Sequence, residues 1–307
     1  MTQLVVLSGK GGTGKTSLTA ALAHLASLEG ADLRPVLVDA DVDAANLELL
    51  LETHRVQAED FQGGAVALID QDRCSTCGRC GEVCRFSAVD QVSGAYEIDP
   101  IACDGCAACL YECPEGDIQM EDQLAGEWYI SDTNYGRLFH AHLFPARENS
   151  GKLVAHIKRR AQESLEELTA GWMIVDGPPG IGCPVISAVS GADAVLAVTE
   201  PSLSGIHDLE RLLRTVDYFD VPAYVTINKA DIYPQGTDHI KDLCRERDAI
   251  VLGEIPYDLD IPRSMAAGLP VTAFQPESQA ARAVMEIWKR ISQLIGGKGT
   301  TRQLIEL

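Results

Sequence analysis

Cys74, Cys77, Cys80 and Cys84 follow a C-x2-C-x2-C-x3-C spacing, and Cys103, Cys106, Cys109 and Cys113 repeat it 29 residues later. Eight thiols in two copies of one metal-type spacing constrain that stretch more tightly than any hydrophobic pattern in the chain. Its large apolar residues are scattered, among them Ile69, Val89, Ile98 and Ile118, and too few for a packed core. Thiolate-held inorganic groups must replace the missing core, as they do in other small domains. The duplication extends outward, because Ile69-Asp70 precedes the first run at the offset at which Ile98-Asp99 precedes the second. One small unit built twice is the expectation.

The remaining residues supply an ordinary fold, since 307 residues suffice for one large α/β domain or two smaller ones. Ten cysteines in a short secreted chain would signal disulfides. Here eight sit in metal-type spacings, and no signal peptide precedes the first apolar run, Leu4 to Leu7. A cytoplasmic, reducing location is expected. No apolar run approaches the roughly 20 residues that a bilayer span needs, so the protein is expected to be soluble, or at most peripheral to a membrane. The net charge of -20 opposes direct nucleic-acid binding, which depends on Lys and Arg neutralising phosphates. Between Asp70 and Asp122 twelve carboxylates stand against three arginines. That excess makes either a self-repelling soluble face or a docking face for a basic protein partner.

Along the chain, Leu4 to Leu7 reads as a strand, Leu18 to Leu28 as a helix, Pro35 to Val38 as a second strand and Ala44 to Leu51 as another helix. The alternation stops near Ala67 and resumes after Gln123. Strands are then expected at Trp172 to Val175, Ala194 to Val198, Ala223 to Ile227 and Ile250 to Leu252. Helices are expected at Leu153 to Leu168, His207 to Tyr218, His239 to Arg247 and Ala280 to Ile295, while Arg137 to Lys152 fits no pattern. Strands alternating with helices imply an α/β, mostly parallel, doubly wound sheet. The cysteine unit, residues 67–123, is then an insertion between two parts of one domain, 1–66 and 124–307.

Gly9-Lys10-Gly11-Gly12-Thr13-Gly14-Lys15-Thr16, followed by Ser17, satisfies G-x4-G-K-[ST] between a strand and a helix. Glycines let backbone N–H groups wrap phosphates, and the helix N-terminus adds partial positive charge. Lys15 is expected on the β- and γ-phosphates and Thr16 on Mg2+.

Lys10 makes the loop a deviant one. With Asp39, Asp41, Asp176 and the Asn228 segment, and with the cysteine block after the first αβ repeat, the chain resembles, over nearly its whole length, MinD/ParA superfamily P-loop ATPases carrying an inserted ferredoxin domain. The resemblance implies that Lys10 crosses a dimer interface to the partner's nucleotide, so that ATP closes a homodimer and Lys10, Lys15 and Asp41 serve hydrolysis. Val38-Asp39-Ala40-Asp41, followed by Asn46, is similar to the first switch, with Asp41 positioning the attacking water and Asp39 near the metal. Asp176-Gly177-Pro178-Pro179-Gly180 is similar to the second, with Asp176 holding Mg2+ through water and Gly180 sensing the γ-phosphate. Asn228 is implied to contact adenine, and Pro256, in Ile255-Pro256-Tyr257-Asp258, to border the base. Asn228-Lys-Ala-Asp231 is also the guanine-reading signature, so both bases stay open, with ATP favoured by the loop type.

The cysteine spacing is that of bacterial two-cluster ferredoxins, in which the fourth cysteine of each run ligates the other cluster. Cys74, Cys77, Cys80 and Cys113 are then expected on one 4Fe-4S cluster and Cys84, Cys103, Cys106 and Cys109 on the second. Pro114 follows Cys113 as the pattern requires, whereas Arg85 follows Cys84. Zinc sites also use C-x2-C pairs but rarely three cysteines at x2 spacings and a fourth at x3, twice over. Cys183 follows Asp176 by seven residues, where the nitrogenase iron protein has a cluster ligand; with no second matching cysteine it reads as a small buried residue. His24, His140, His142 and His207 show no ligand spacing among themselves and read as packing or surface. Three functions follow: ATP-dependent electron transfer to a redox partner, a redox-responsive switch that binds and releases a regulatory partner, and an iron-sulfur scaffold or carrier. A tail of MinD type is poorly supported by Gly296 to Leu307, whose basic groups are Lys298 and Arg302.

Overall fold

The structure, a computed structural model, describes residues 2–29, 34–145, 147, 149–168 and 171–296. In chain order the elements begin with β1 (Thr2–Ser8), α1 (Lys15–Ser27), β2 (Val36–Asp39), a 3-10 turn (Leu47–Leu50) and β3 (His54–Ile69). Then come α2 (Arg79–Val83), β4 (Val89–Val92), β5 (Ala95–Ile98), α3 (Ala108–Glu112), β6 (Ile118–Asp132) and β7 (Arg137–Leu143). Next are α4 (Ser150–Leu168), β8 (Trp172–Pro179), α5 (Cys183–Val189), β9 (Ala194–Thr199), α6 (Leu203–Asp217) and β10 (Ala223–Asn228). The chain continues through α7 (Pro234–Glu246), β11 (Ile250–Ile255), α8 (Asp260–Ala266), α9 (Val271–Phe274) and α10 (Gln279–Ile295).

Two compact units form. The first comprises residues 1–58, 128–142 and 150–307, and the second 59–127 and 143–149. The junctions thus fall some way from the expected 67–123, because β3 and β6 are strands of 16 and 15 residues that run through them. Neither strand is evident in the sequence.

The first unit is built on a sheet ordered β11-β10-β9-β1-β8-β2-β7, with its own ends of β6 and β3 beyond β7. Strands β11 to β7 in that order pair in parallel throughout. β1 and β9 are buried at every position and β8 at all but the last, as strands covered on both faces must be, which is why they read as unbroken apolar runs. Leu4, Val6, Leu37, Ile174 and Leu196 pack with Leu22 of α1 and with Val284, Ile287 and Ile291 of α10 in one core. Burying each such side chain stabilises the fold by about 1.5–3 kcal/mol. α10 buries a helical stripe, Ala280, Ala281, Val284, Ile287, Trp288 and Ile291, and the Ser278 hydroxyl caps its first turn by accepting the Ala281 N–H.

Three local expectations change. The helix expected at 44–51 is only the short turn Leu47–Leu50, since the loop before it is tied to Asp39 rather than to helical carbonyls. The unassigned stretch 137–152 supplies β7, parallel to β2, and the start of α4. Helix α7 begins at Pro234, which suits a first turn because its missing N–H has no helical partner there. No helix among the described residues is long and apolar enough to cross a membrane. The tail residues 297–307, including Lys298 and Arg302, lie outside the described residues.

In the second unit the duplication is visible bond by bond. Asp70 N–H donates to Asp117 O and Asp99 N–H to Ala88 O, both at 2.8 Å. Cys74 N–H donates to Asp70 O and Cys103 N–H to Asp99 O, both at 3.0 Å. α2 and α3 are equivalent five-residue helices, each entered through a left-handed residue, Gly78 or Ala107. A small apolar centre of Ala67, Cys80, Cys109 and Ile118 joins the halves.

Candidate functional site

The C-terminal ends of β1, β8 and β2 lie side by side, with Val6 and Asp39 both in register with Asp176. Ligand crevices of open α/β sheets form at such ends where the strand order reverses. The loop 9–14 leaves β1 here and enters α1, with Gly12 and Gly14 at φ 78° and 92°. Gly14 also has no room for a side chain, since a Cβ would stand 2.4 Å from Asn228 Nδ2. Gly177 is confined in the same way by Leu7, whose Cδ2 a Cβ would meet at 2.4 Å.

Asp176, fully buried, is the hub. It accepts from Lys15 Nζ at 3.1 Å, Thr16 Oγ1 at 2.7 Å and Thr19 Oγ1 at 2.9 Å. Asp41 Oδ2 lies 3.9 Å from Lys15 Nζ. Burial disfavours the Lys15 charge, but Asp176, Asp39 and Asp41 outweigh it and raise its pKa. Asp39 is pushed up to about 7 by burial and by the Asp176 charge, against the Lys15 charge and two, Leu47 and Asp41, of the three backbone N–H groups that donate to it. Those donors are Asp41 N at 3.1 Å, Asn46 N at 3.0 Å and Leu47 N at 2.9 Å, so Asp39 holds the loop that carries Asp41. Asp41 itself is raised, by burial first, with Lys15 opposing. A lysine amid three acids suits a site where a cation and a polyphosphate part them.

A cavity of about 830 Å3 opens beside the loop, lined by Gly11, Gly12, Gly14, Lys15, Thr16 and Ser17, by Asp41, and by Asn228 and Pro256. Its volume suits a nucleotide-sized ligand. Asn228 Nδ2 donates to Thr13 O at 2.7 Å, fixing this end of β10 to the loop. Asp231 points elsewhere, with Oδ1 accepting the Tyr257 N–H at 2.6 Å. Of the residues expected here, Gly9, Lys10, Thr13, Asp39, Asp176, Gly177 and Gly180 lie outside the lining. Gly180 N–H donates to Ser8 O at 2.9 Å.

Lys10 turns toward a partner that the sequence did not single out. Its Nζ is 2.7 Å from Glu200 Oε1 and donates to Ser204 Oγ at 2.9 Å and Ser202 Oγ at 3.3 Å. Lys229 approaches the other Glu200 oxygen at 3.2 Å. Burial works against the Glu200 charge, but the bonds from both lysines hold its carboxyl below the ordinary range. Glu200 was missed because it lies just past β9, outside any motif. Thr19 was missed because a helical threonine one turn after Lys15 reads as core.

In the second unit Cys74, Cys77, Cys80 and Cys113 line one cavity. Cys103 and Cys106 stand near enough to act on the charge of Cys109, as Cys74 and Cys77 do on that of Cys80. Cys84 is the equivalent of Cys113: each leaves its helix extended, and each sulfur accepts the N–H four residues on, from Ala88 and Asp117, at 3.4 Å. Burial raises the Cys80 and Cys109 thiols. Buried Asp117 lies beside the first cavity, 3.0 Å from Arg73 Nη2. An all-thiol donor set preceded by matched backbone turns fits iron-sulfur ligation. Cys183, expected to be buried, is exposed at the start of α5, while Cys244 is buried.

The family model described as the CobQ/CobB/MinD/ParA nucleotide binding domain matches residues 4–271. The chain is 31% identical, over 95% of its length and 97% of the relative's, to a protein of Methanocaldococcus jannaschii with no assigned function. It is 24% identical to the iron-sulfur cluster carrier protein of Pyrococcus horikoshii, over 94% of this chain and 85% of that one. Among solved structures it resembles the septum site-determining protein MinD of Pyrococcus horikoshii, complexed with Mg-ADP, at a TM-score of 0.61 and 19% identity, covering 95% and 96% of the two chains. That last likeness concerns the fold.

Proposed function

Since this chain belongs to the CobQ/CobB/MinD/ParA nucleotide binding family, we propose that it is a Mg-dependent ATPase in which an ATP-closed homodimer governs electron transfer from two 4Fe-4S clusters to a partner protein. The observation that carries this reading is the twofold cysteine framework, with Cys113 of the second run lining one cavity with Cys74, Cys77 and Cys80 of the first. When bound, the clusters supply one-electron storage. The symmetrical N–H bonds to Cys84 and Cys113 act on thiolate sulfurs, the kind of contact that tunes a potential.

In the first unit the loop amides and Lys15 bind the phosphates, and Thr16 and Asp176 are the residues that would hold Mg2+, which would supply charge neutralisation at the phosphates. Thr16 and Asp176 are already joined at 2.7 Å. Asp41 orients the attacking water, and Gly180 exchanges its bond to Ser8 for the γ-phosphate. Catalysis of this kind is positioning and charge neutralisation. Adenine as the base is supported by the loop type and by Asp231, the residue that would read guanine, whose Oδ1 accepts the Tyr257 N–H. Lys10 leaves Glu200 for the partner's nucleotide on dimer closure.

The test is direct. Protein reduced with dithionite is mixed with a one-electron acceptor in the presence of MgATP, MgADP or neither, and cluster reoxidation is followed optically. ATP-dependent rates are expected; rates indifferent to nucleotide count decisively against coupling.

A second reading, cluster carriage, is favoured by exposed Cys183 and by the name of the Pyrococcus relative. It expects iron to pass from the loaded protein to an apo-ferredoxin, with transfer slowed in Cys183→Ser. Against it stand the buried Cys80 and Cys109, which suit resident clusters better than cargo.

A further inference from the structure

His140 and His142 alternate on β7, so both project from one face of the strand. Glu48 of the 3-10 turn meets them there. His140 Nδ1 lies 3.4 Å from Glu48 Oε2, and His142 Nε2 lies 3.5 Å from Glu48 Oε1. One donor atom from each of the three residues falls within 4.8 Å of the others. The edge of a tetrahedron of ligands around zinc, with bonds of about 2.0–2.1 Å, is about 3.3 Å, and the two His–Glu separations, made to different oxygens of the carboxylate, are each close to that length.

His140 supplies the independent observation. Its side chain is fully buried, and its Nδ1 has no hydrogen-bond partner. The other ring nitrogen, Nε2, is 2.9 Å from Ser131 Oγ. With Nε2–H donated to Ser131, the Nδ1 lone pair faces Glu48, the arrangement in which an outer hydrogen bond fixes a metal-binding tautomer. Tyr129 packs against both rings, at 5.1 and 5.8 Å, and Arg55 covers the tyrosine at 3.8 Å from its centroid. The side chains of Glu48 and His142 are 22% and 40% exposed, which leaves an entry path and an open fourth position.

We infer that Glu48, His140 and His142 form a binding site for a divalent transition-metal ion of borderline softness, of which Zn2+ is the type. Two imidazoles and one carboxylate with an open position make a donor set that prefers such ions to Mg2+ or Ca2+. The site has a consequence for the nucleotide cavity. Glu48 directly follows Leu47, whose N–H is held by Asp39, and His140 is the next residue after the Val38–Phe139 pair that joins β2 to β7. An ion here clamps the 3-10 turn to β7 and thereby the loop bearing Asp41.

The experiment uses anaerobically purified full-length protein titrated with Co2+ as a spectroscopic stand-in for Zn2+. Nitrogen and oxygen ligands give visible d–d bands without the thiolate charge-transfer band that cysteine binding produces. Wild type is expected to bind one equivalent with the thiolate-free spectrum. His142→Ala and Glu48→Gln, both at partly exposed positions that tolerate substitution, are expected to bind at least about tenfold more weakly, and Ser131→Ala to weaken binding about tenfold through the tautomer. Identical thiolate-free binding in all four proteins, or cobalt bound by thiolates alone in wild type, overturns the assignment.

Discussion

Replacing Asp39 tests how the first-switch loop is held. Asp39→Ala removes an acceptor of three backbone N–H groups: the Leu47 bond is buried, and those from Asp41 and Asn46 are partly so. An orphaned buried donor costs about 1–3 kcal/mol. Leu47 N–H bears that cost in full, while the other two recover part of it from water. Relief of the burial and of the Asp176 repulsion that together push Asp39 up to about 7 offsets some of the loss. The net is about 3 kcal/mol of local stability, which at 1.36 kcal/mol per tenfold is roughly a 100-fold larger open population of the loop. Asp39→Asn keeps one oxygen. Placed at the Oδ2 position it still accepts from Asn46 and Leu47, but its NH2 then faces the Asp41 N–H, so a cost of about 1–2 kcal/mol is expected. Native-state hydrogen exchange read at Leu47 is the assay, with an expected order of Ala fastest, Asn intermediate and wild type slowest. Exchange at Leu47 within about threefold of wild type in the alanine variant would refute the argument that Asp39 holds this loop.

Other expectations follow from single contacts. Glu200→Gln weakens the hold on Lys10; the pair is 30% and 20% exposed, so it contributes less than about 1 kcal/mol, and sedimentation should show ATP-dependent dimerisation strengthened up to about fivefold, whereas weaker dimerisation contradicts a parked Lys10. Iodoacetamide applied to cluster-loaded protein should modify exposed Cys183 first and leave Cys244 untouched, because burial pushes the Cys244 thiol up to about 11; mass spectrometry showing equal labelling would be inconsistent with this. Burial lowers the His24 pKa below its ordinary 6.5, so the native state binds fewer protons than the unfolded chain. That contribution is complete above about pH 6.5 and is lost as pH falls toward the folded value, at no more than about 1.4 kcal/mol per pH unit. Urea unfolding of His24→Gln should show a shallower loss between pH 7 and 5.5, and an unchanged slope removes His24 from the account.

The amino-acid sequence by itself determined the parts whose chemistry is local. The phosphate loop is legible because Gly12 and Gly14 need left-handed backbone and Lys15 and Thr16 stand at fixed offsets. The cysteine duplication is legible because ligand spacing survives without a core. The central strands β1, β8 and β9 are legible because burial on both faces demands unbroken apolar runs. β3 and β6 are not: exposed, polar stretches in both, and Gly63-Gly64 in β3, disguise them as strands. Tertiary structure decided the pairings across long separations. Lys10 meets Glu200, Asp231 meets Tyr257, and Glu48 meets His140 and His142, contacts between residues 26 to 190 positions apart. No periodicity encodes such meetings, because they depend on which strand lies beside which. His140-x-His142 did carry a signal, two imidazoles on one face of a strand, but only the placement of β7 next to β2, beside the turn bearing Glu48, turns that spacing into a site.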